Sequence, residues 1–337
     1  MKLRKTRAGR QPRIEEVAAL AGIATITVSR ALRRPEKVAP ATRARVMAAV
    51  EKLGYIPNLA ASSLASRRSR IVAVIVPTIA NSVFADTVQG LSDVVTARGL
   101  QLLLGQSAYS EEAERALLAA VIGRQPDGIV LTGVARAAAT RALLERAGTP
   151  VVETWDLTET PVDLLVGFSN EAAGAAMGRY LADKGYRRAA FVGGGDHRAA
   201  ARRHGFAASL AAAGLPAPTV VILDTPPSYG GGRRGLDAVL AQSPETDAVF
   251  FATDVLAVGA LLECRKLGLA VPNRIAIAGL GDLEISAELQ PTLTTLRIPS
   301  YEIGRRAGEL LLARIDGEPL AETRVELGFE IVERESA

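Results

Sequence analysis

Residues 14–32 read Ile-Glu-Glu-Val-Ala-Ala-Leu-Ala-Gly-Ile-Ala-Thr-Ile-Thr-Val-Ser-Arg-Ala-Leu. Ile14, Val17 and Ala18 recur at helical spacing, Gly22 interrupts the stripe, and Val28, Ala31 and Leu32 form a second one. Two short amphipathic helices joined at a glycine are the sequence form of a helix-turn-helix. With Val28, Ala31 and Leu32 turned inward, Thr25, Ile26, Ser29 and Arg30 face outward, where they can enter a DNA major groove.

Charge localises this reading. Residues 1–70 hold 16 Lys/Arg against 4 Asp/Glu, a net +12, whereas residues 71–337 hold 24 against 32, a net −8. A basic head on an acidic body suits a head that meets phosphate and a body that stays off it. Residues 1–12 crowd Lys and Arg without apolar period and read as a disordered basic tail; residues 13–58 have the period and read as the folded head. The single cysteine, Cys264, excludes an intrachain disulfide and fits a reducing cytoplasm. No apolar run reaches the length of a membrane span, and the basic start is not followed by a secretory apolar core, so neither membrane nor export is expected.

Outward from the two helices, Arg33-Arg34-Pro35-Glu36-Lys37 is a polar loop, and a third helix is expected from Pro40 to Gly54 with Val46, Ala49, Val50 and Leu53 on one face. Tyr55-Ile56-Pro57-Asn58 stops it. Residues 59–66 predict a short helix that is too short to stand alone in water, and residues 59–69 are assigned to this element and a basic linker.

From Ile71 the period changes. Ile71–Val76 is a continuous apolar run, the pattern of a strand buried on both faces. Similar runs at 100–104, 128–132, 150–154, 164–167, 189–193, 220–223, 248–252 and 275–279 alternate with amphipathic stretches at 84–98, 111–124, 136–147, 171–184, 199–213, 230–242, 254–267 and 301–315. That alternation predicts an α/β body with two parallel sheets in two lobes.

The motifs Glu16–Ile23, Thr27–Leu32, Thr42–Val46 and Leu53–Asn58 resemble the lactose-repressor (LacI-type) family of bacterial regulators. Pro77, Asn81 and Phe84, then Asp127-Gly128-Ile129, Thr253-Asp254 with Ala257 and Gly259, Gly268-Leu269 with Val271-Pro272, and Leu293-Thr294-Thr295 extend the likeness along the body. Within the family, Ile71–Gly90, Val151-Val152-Glu153, Val166-Gly167-Phe168 and Glu263–Leu269 are similar to gluconate-operon repressors. The resemblance implies a helix-turn-helix head, a hinge helix and a periplasmic-binding-protein-like body over residues 70–331. Lobe one would take about 70–167 and 298–327, and lobe two about 168–297 and 328–334, with crossings near 166–168, 296–299 and 326–329. It also implies a homodimer on double-stranded, pseudo-palindromic operator DNA, and a small-molecule effector that is a sugar acid such as gluconate. No cofactor, metal or membrane partner is expected. The tetrameric members' heptad tail has no room after Arg334, which favours a dimer.

Site residues follow by position in the resemblance. Arg13, Thr25, Ile26, Thr27, Ser29, Arg30, Tyr55, Asn58 and Ala61 would contact DNA, and Leu64 would wedge into the minor groove with its partner copy. Ile26 offers thymine-methyl packing; its bland reading is packing on the first helix. Leu64 reads otherwise as a linker leucine packed on the body. Ala24 and Ala39 stand where the family carries serine caps, and Arg13 stands where it carries a threonine. Thr78, Ser82, Phe84, Glu153, Trp155, Arg202, Thr253 and Asp282 would line the effector site between the lobes, with Arg202 taking a carboxylate. For Arg202 the alternative is a solvated helix face within the run Arg198–His204, and for Trp155 a surface position. Gly281 replaces an aspartate that sugar-binding members use, with Asp282 adjacent, which argues against a neutral sugar.

An enzyme is not expected. Gly193–Arg198 and Gly279–Glu284 lack the third glycine of a dinucleotide fingerprint, and the chain carries no P-loop, nucleophile elbow or metal-ligand spacing.

Overall fold

The computed structural model describes residues 12–56, 68–79, 82–223 and 226–337. The chain divides into two compact units, 1–69 and 70–337.

In the first unit, α1 spans Ile14–Ala21, α2 Thr25–Arg33 and α3 Pro40–Leu53. Their stripes meet in a small core of Val17, Ala18 and Ala21 from α1, Val28 and Ala31 from α2, and Val46 and Ala49 from α3. Gly22 sits at φ 64°, a left-handed position that a side chain adopts only at a cost. There its N–H and that of Ile23 return to Ala19 and Ala18 carbonyls (3.3 and 3.1 Å), which closes α1 and turns the chain into α2. Arg45 of α3 donates to the carbonyls of Ala21 and Gly22 and ties the turn to the third helix. Neither Ala24 nor Ala39 supplies a side-chain cap to the helix it precedes. The expected helix at 59–66 lies outside the described residues.

The second unit holds two six-stranded sheets. The first-sheet lobe contains β1 (Ile71–Val76), α4 (Ala85–Ala97), β2 (Gln101–Gln106), α5 (Glu111–Ile122), β3 (Gly128–Thr132), α6 (Ala138–Ala147), β4 (Val151–Thr154) and β5 (Leu164–Gly167). The chain then passes to the second: α7 (Asn170–Asp183), β6 (Ala189–Gly194), α8 (His197–Ala212), β7 (Thr219–Leu223), α9 (Tyr229–Gln242), β8 (Ala248–Phe251), α10 (Asp254–Leu267), β9 (Ala276–Gly281), α11 (Glu284–Glu288) and β10 (Thr294–Arg297). It returns through α12 (Ser300–Asp316), which packs on α4: Thr87 Oγ1 donates to the Ser300 carbonyl and the Tyr301 hydroxyl to Asp93, both at 2.9 Å. β11 (Arg324–Glu326) joins the first sheet and β12 (Glu330–Val332) the second.

The strand orders are β11-β5-β4-β3-β1-β2 and β12-β10-β9-β8-β6-β7. The first sheet is parallel throughout, and the apolar runs of β1, β3, β4 and β5 are buried as two-faced strands require. Two expectations need correction. The second sheet is not wholly parallel, because β12 pairs antiparallel with β10. The body also continues past 334: Ile277 N–H donates to the Ser336 carbonyl (2.8 Å), Ser336 Oγ donates to the Ile277 carbonyl (2.6 Å), and Tyr180 reaches the Ala337 carbonyl (2.8 Å).

Candidate functional site

On α2, Ile26 is 67% exposed, so its packing on α1 is excluded. Thr25 and Arg30 are exposed, and Thr27 and Ser29 are half-buried. These five residues run along one side of α2, opposite the core residues Val28 and Ala31. Arg13 is exposed just ahead of α1, its N–H donating to Glu16 Oε2 at 3.4 Å. Tyr55 packs against the head core behind α3. Asn58, Ala61 and Leu64 lie outside the described residues.

In the second unit a small chamber forms where C-terminal strand ends of the two sheets face each other, the position at which open α/β sheets bind ligands. Val83, Phe84 and Trp155 line it from the first lobe, and Ala252, Leu256 and Leu280 from the second, so most of its wall is apolar. Phe84 and Phe168 flank Trp155 edge-on at centroid separations of 4.9 and 5.9 Å. Trp155 is 2% exposed, which excludes a surface position, and its indole N–H donates to Thr87 Oγ1 (2.9 Å).

Into this apolar wall α8 places Arg202, 6% exposed. The helix can do so because α7 and α8 cross at glycines: a Cβ on Gly174 would fall 1.9 Å from the Arg202 carbonyl oxygen, and one on Gly205 1.9 Å from that of Glu171. Arg202 Nη1 donates to Asn170 Oδ1 (2.5 Å), a neutral acceptor, and its Nε has no partner. Burial pulls the guanidinium down to about 10, against the pull of Asp196, so it remains a cation at neutral pH. A solvated helix face is therefore excluded for this residue. Asn170 also donates through Nδ2 to the Trp155 carbonyl (2.9 Å) and Asp156 Oδ1 (3.1 Å), so one amide ties the first lobe to the arginine.

Arg198 adds a second cation. It lies 5.4 Å from the Phe84 ring centroid and 3.9 Å from Asp196, whose Oδ1 also caps α8 by accepting from the Arg198 and Ala199 N–H groups. Thr253 lines the chamber with its buried Oγ1 unpartnered. Two cations and a free hydroxyl face one carboxylate that is already engaged, which favours an anionic ligand. Tyr109, Gly194, Asp196, Arg198 and Pro227 also line a wider outer cleft, with Ser107, Glu114, Arg136 and Asp156 further out.

Phe84, Trp155, Arg202 and Thr253 thus meet at the chamber. Four expected residues do not. Glu153 is fully buried outside the lining, and each of its oxygens accepts a backbone N–H of its own lobe, from Ala135 (2.6 Å) and Val162 (2.8 Å). Burial outweighs those bonds and holds its carboxyl above the ordinary range. Asp282 is taken by Arg297 (2.6 Å) and Arg334 (2.7 Å). Thr78 is buried outside the lining, and Ser82 is exposed. Tyr109 and Arg198 line the chamber and Asn170 bonds Arg202, although the sequence reading did not place them there. Their signal was position: Tyr109 and Asn170 each follow the C-terminal end of a strand, where such sheets collect polar site residues.

A helix-turn-helix head joined to a two-lobed α/β body with a buried chamber defines a ligand-responsive DNA-binding regulator. Residues 13–58 match the bacterial regulatory proteins of the lacI family, and residues 179–337 the periplasmic binding protein-like domain. The chain is 40% identical to the HTH-type transcriptional regulator GntR of Pseudomonas aeruginosa, covering 99% of this chain and 98% of that one. It is 36% identical to the regulator GntR of Escherichia coli, covering 96% and 97%. A LacI-family regulator from Silicibacter pomeroyi superposes with a TM-score of 0.90 at 35% identity, covering 96% and 99% of the two chains. GntR from Chromobacterium violaceum superposes with a TM-score of 0.76 at 40% identity, covering 79% of this chain and 98% of that one. The chain belongs to the LacI family of transcriptional regulators, with a DNA-binding head and an effector-binding body. Its relatives are regulators rather than enzymes. Among the described residues no helix is long and apolar enough to cross a membrane, and no His/Cys/Asp/Glu group is placed to hold a metal.

Proposed function

We propose that this regulator represses sugar-acid catabolism genes in the cytoplasm, as a homodimer on a pseudo-palindromic operator, with a gluconate-like acid bound in the chamber. Thr25, Ile26, Thr27, Ser29 and Arg30 read the major groove, with Ile26 on thymine methyls and Arg30 on a guanine or a phosphate. Arg13, Tyr55 and Asn58 hold the head on the backbone. Leu64, beside Ala61, enters the minor groove.

The observation that carries the effector reading is Arg202: a buried cation in an apolar wall, with a neutral partner and a free Nε. Such a group is costly to leave unmatched, and a ligand carboxylate relieves it while accepting from Thr253. The motif likeness to gluconate-operon repressors points the same way. Phe84 and Trp155 face the carbon chain of the acid.

A thermal-shift panel of gluconate, 2-ketogluconate, other sugar acids and neutral hexoses tests the class. Sugar acids are expected to raise the body's melting temperature and neutral hexoses to leave it unchanged. Stabilisation by neutral hexoses alone would remove both the sugar-acid reading and the role of Arg202, and leave a regulator of another metabolite.

A further inference from the structure

The loop after β2 is strained toward the chamber. Ala108 and Tyr109 sit at φ 53° and 60°, consecutive left-handed positions that residues with a Cβ occupy only at a cost. Both ends of the turn are fixed. Ser107 is buried with its N–H on the Val76 carbonyl (2.9 Å), and Ser110 caps α5 by accepting from the Ala113 N–H (3.2 Å). Strain held between two anchored ends determines where the intervening side chain goes.

That side chain is the phenol of Tyr109. Of the residues lining both the chamber and the outer cleft, Gly194, Asp196, Arg198 and Pro227 come from the second lobe, and Tyr109 alone comes from the first. It is therefore the first lobe's half of the neck between the two spaces. Its hydroxyl has no hydrogen-bond partner among the described residues, although Arg198, Asp196 and Arg202 are its charged neighbours. Gly194 and Pro227 bring no side-chain donor to the neck, and Asp196 Oδ1 is engaged by two backbone amides.

We propose that Tyr109 is a specificity-determining residue of the effector site: its hydroxyl bonds a hydroxyl close to the ligand's carboxylate and so selects polyhydroxy acids over plain ones. With the carboxylate on Arg202, the first carbons of the chain lie in the neck, where Tyr109 is the uncharged group able both to donate and to accept. The strained backbone is kept because it presents that hydroxyl across the lobe boundary. The inference rests on the sugar-acid reading above.

Isothermal titration of the full-length protein tests it, with wild type, Tyr109→Phe and Arg202→Gln titrated with gluconate, 2-deoxygluconate and 3-deoxygluconate. Tyr109→Phe is expected to weaken gluconate about five- to tenfold, the worth of one neutral hydrogen bond. Removing the matching ligand hydroxyl should cost wild type a similar factor, and the two losses should not add. Undiminished gluconate binding by Tyr109→Phe, or losses that add for both deoxy acids, overturns the proposal. If Arg202→Gln abolishes binding while Tyr109→Phe does not weaken it, the sugar-acid reading stands and the Tyr109 role falls. If wild type binds none of the three acids, the sugar-acid reading falls and takes this proposal with it.

Discussion

The reading helix of the head and the effector chamber of the body are built on opposite principles. On α2 the outward residues are exposed or half-buried, Arg30 is the one long polar side chain among them, and the helix starts at Ala24 without a side-chain cap. In the chamber the key group is buried, and the crossing of α7 and α8, the Asn170 amide and the Trp155 backbone all fix its place. One site presents its side chains to solvent; the other is organised in advance around a buried guanidinium with an unpartnered Nε. On the proposed function, DNA specificity leans on Arg30, Leu64 and half-site spacing as much as on the rest of α2, and effector specificity on a few fixed contacts.

Substitutions can break this contrast, and the largest effect belongs in the body. Gly174→Ala gains about 1 kcal/mol of helix propensity. It also drives a methyl to 1.9 Å from the Arg202 carbonyl oxygen, so α7 and α8 must separate. Calorimetry is expected to show the body about 3 kcal/mol less stable, with effector binding lost and head-only DNA contact unaffected. Full stability would mean that the helix crossing does not hold Arg202.

Next comes the linker. Leu64→Ala is expected to keep non-specific DNA binding and lose operator affinity by about 2 kcal/mol, read by gel shift on operator and scrambled duplexes. Equal affinity of variant and wild type for the operator would remove the wedge.

Glu153→Gln tests the buried carboxylate outside the chamber lining. An amide can accept only one of the two N–H groups that the carboxylate now takes, so a cost of about 1–2 kcal/mol is expected. Burial holds this carboxyl above its ordinary range, so as pH falls the native body takes up its proton before the unfolded chain does. That contribution is present below the unfolded value and is lost as pH rises through the folded one. The wild-type advantage in melting temperature over the variant therefore grows between pH 7 and pH 5. A gap that closes on acidification would contradict the stated direction.

The smallest effect is in the head, and it has the opposite sign. Ala24→Ser restores a cap on α2 and is expected to stabilise the head by about 1 kcal/mol in thermal unfolding. No gain would mean that the first-turn amides of α2 already find a partner.

How legible each region was follows from the range of the forces that shape it. The head helices and β1 to β9 were readable because a stripe at helical period, or an apolar run closed by a turn residue, is a local signal. β10 to β12 were not, because Thr294-Thr295, Arg324-Val325-Glu326 and Glu330-Ile331 are short and polar. The threonines of β10 are buried because Thr295 Oγ1 bonds Asp254 Oδ1 (2.5 Å) and Thr294 Oγ1 the Arg334 carbonyl (3.1 Å), contacts made across forty residues of chain. The site divides the same way. Arg202, Trp155, Phe84 and Thr253, expected by family position, all line the chamber. Glu153 and Asp282 stand outside the chamber lining, and residue type does not show which donors engage a carboxylate; the partners of Asp282 come from β10 and from beyond β12. Tyr109 escaped notice because a strained turn at Ala108-Tyr109 looks like any loop in sequence.

The central claim is that a buried cation hydrogen-bonded to a neutral amide, with its Nε unpartnered, is what the effector's carboxylate meets. Titration calorimetry of wild type and Arg202→Gln with gluconate, and with glucose as a neutral control of the same carbon number, tests it most directly. The account predicts gluconate binding by wild type, weakened by about a hundredfold or more in Arg202→Gln, and no binding of glucose by either. Glucose binding comparable to gluconate, or gluconate affinity retained without the arginine, would contradict it.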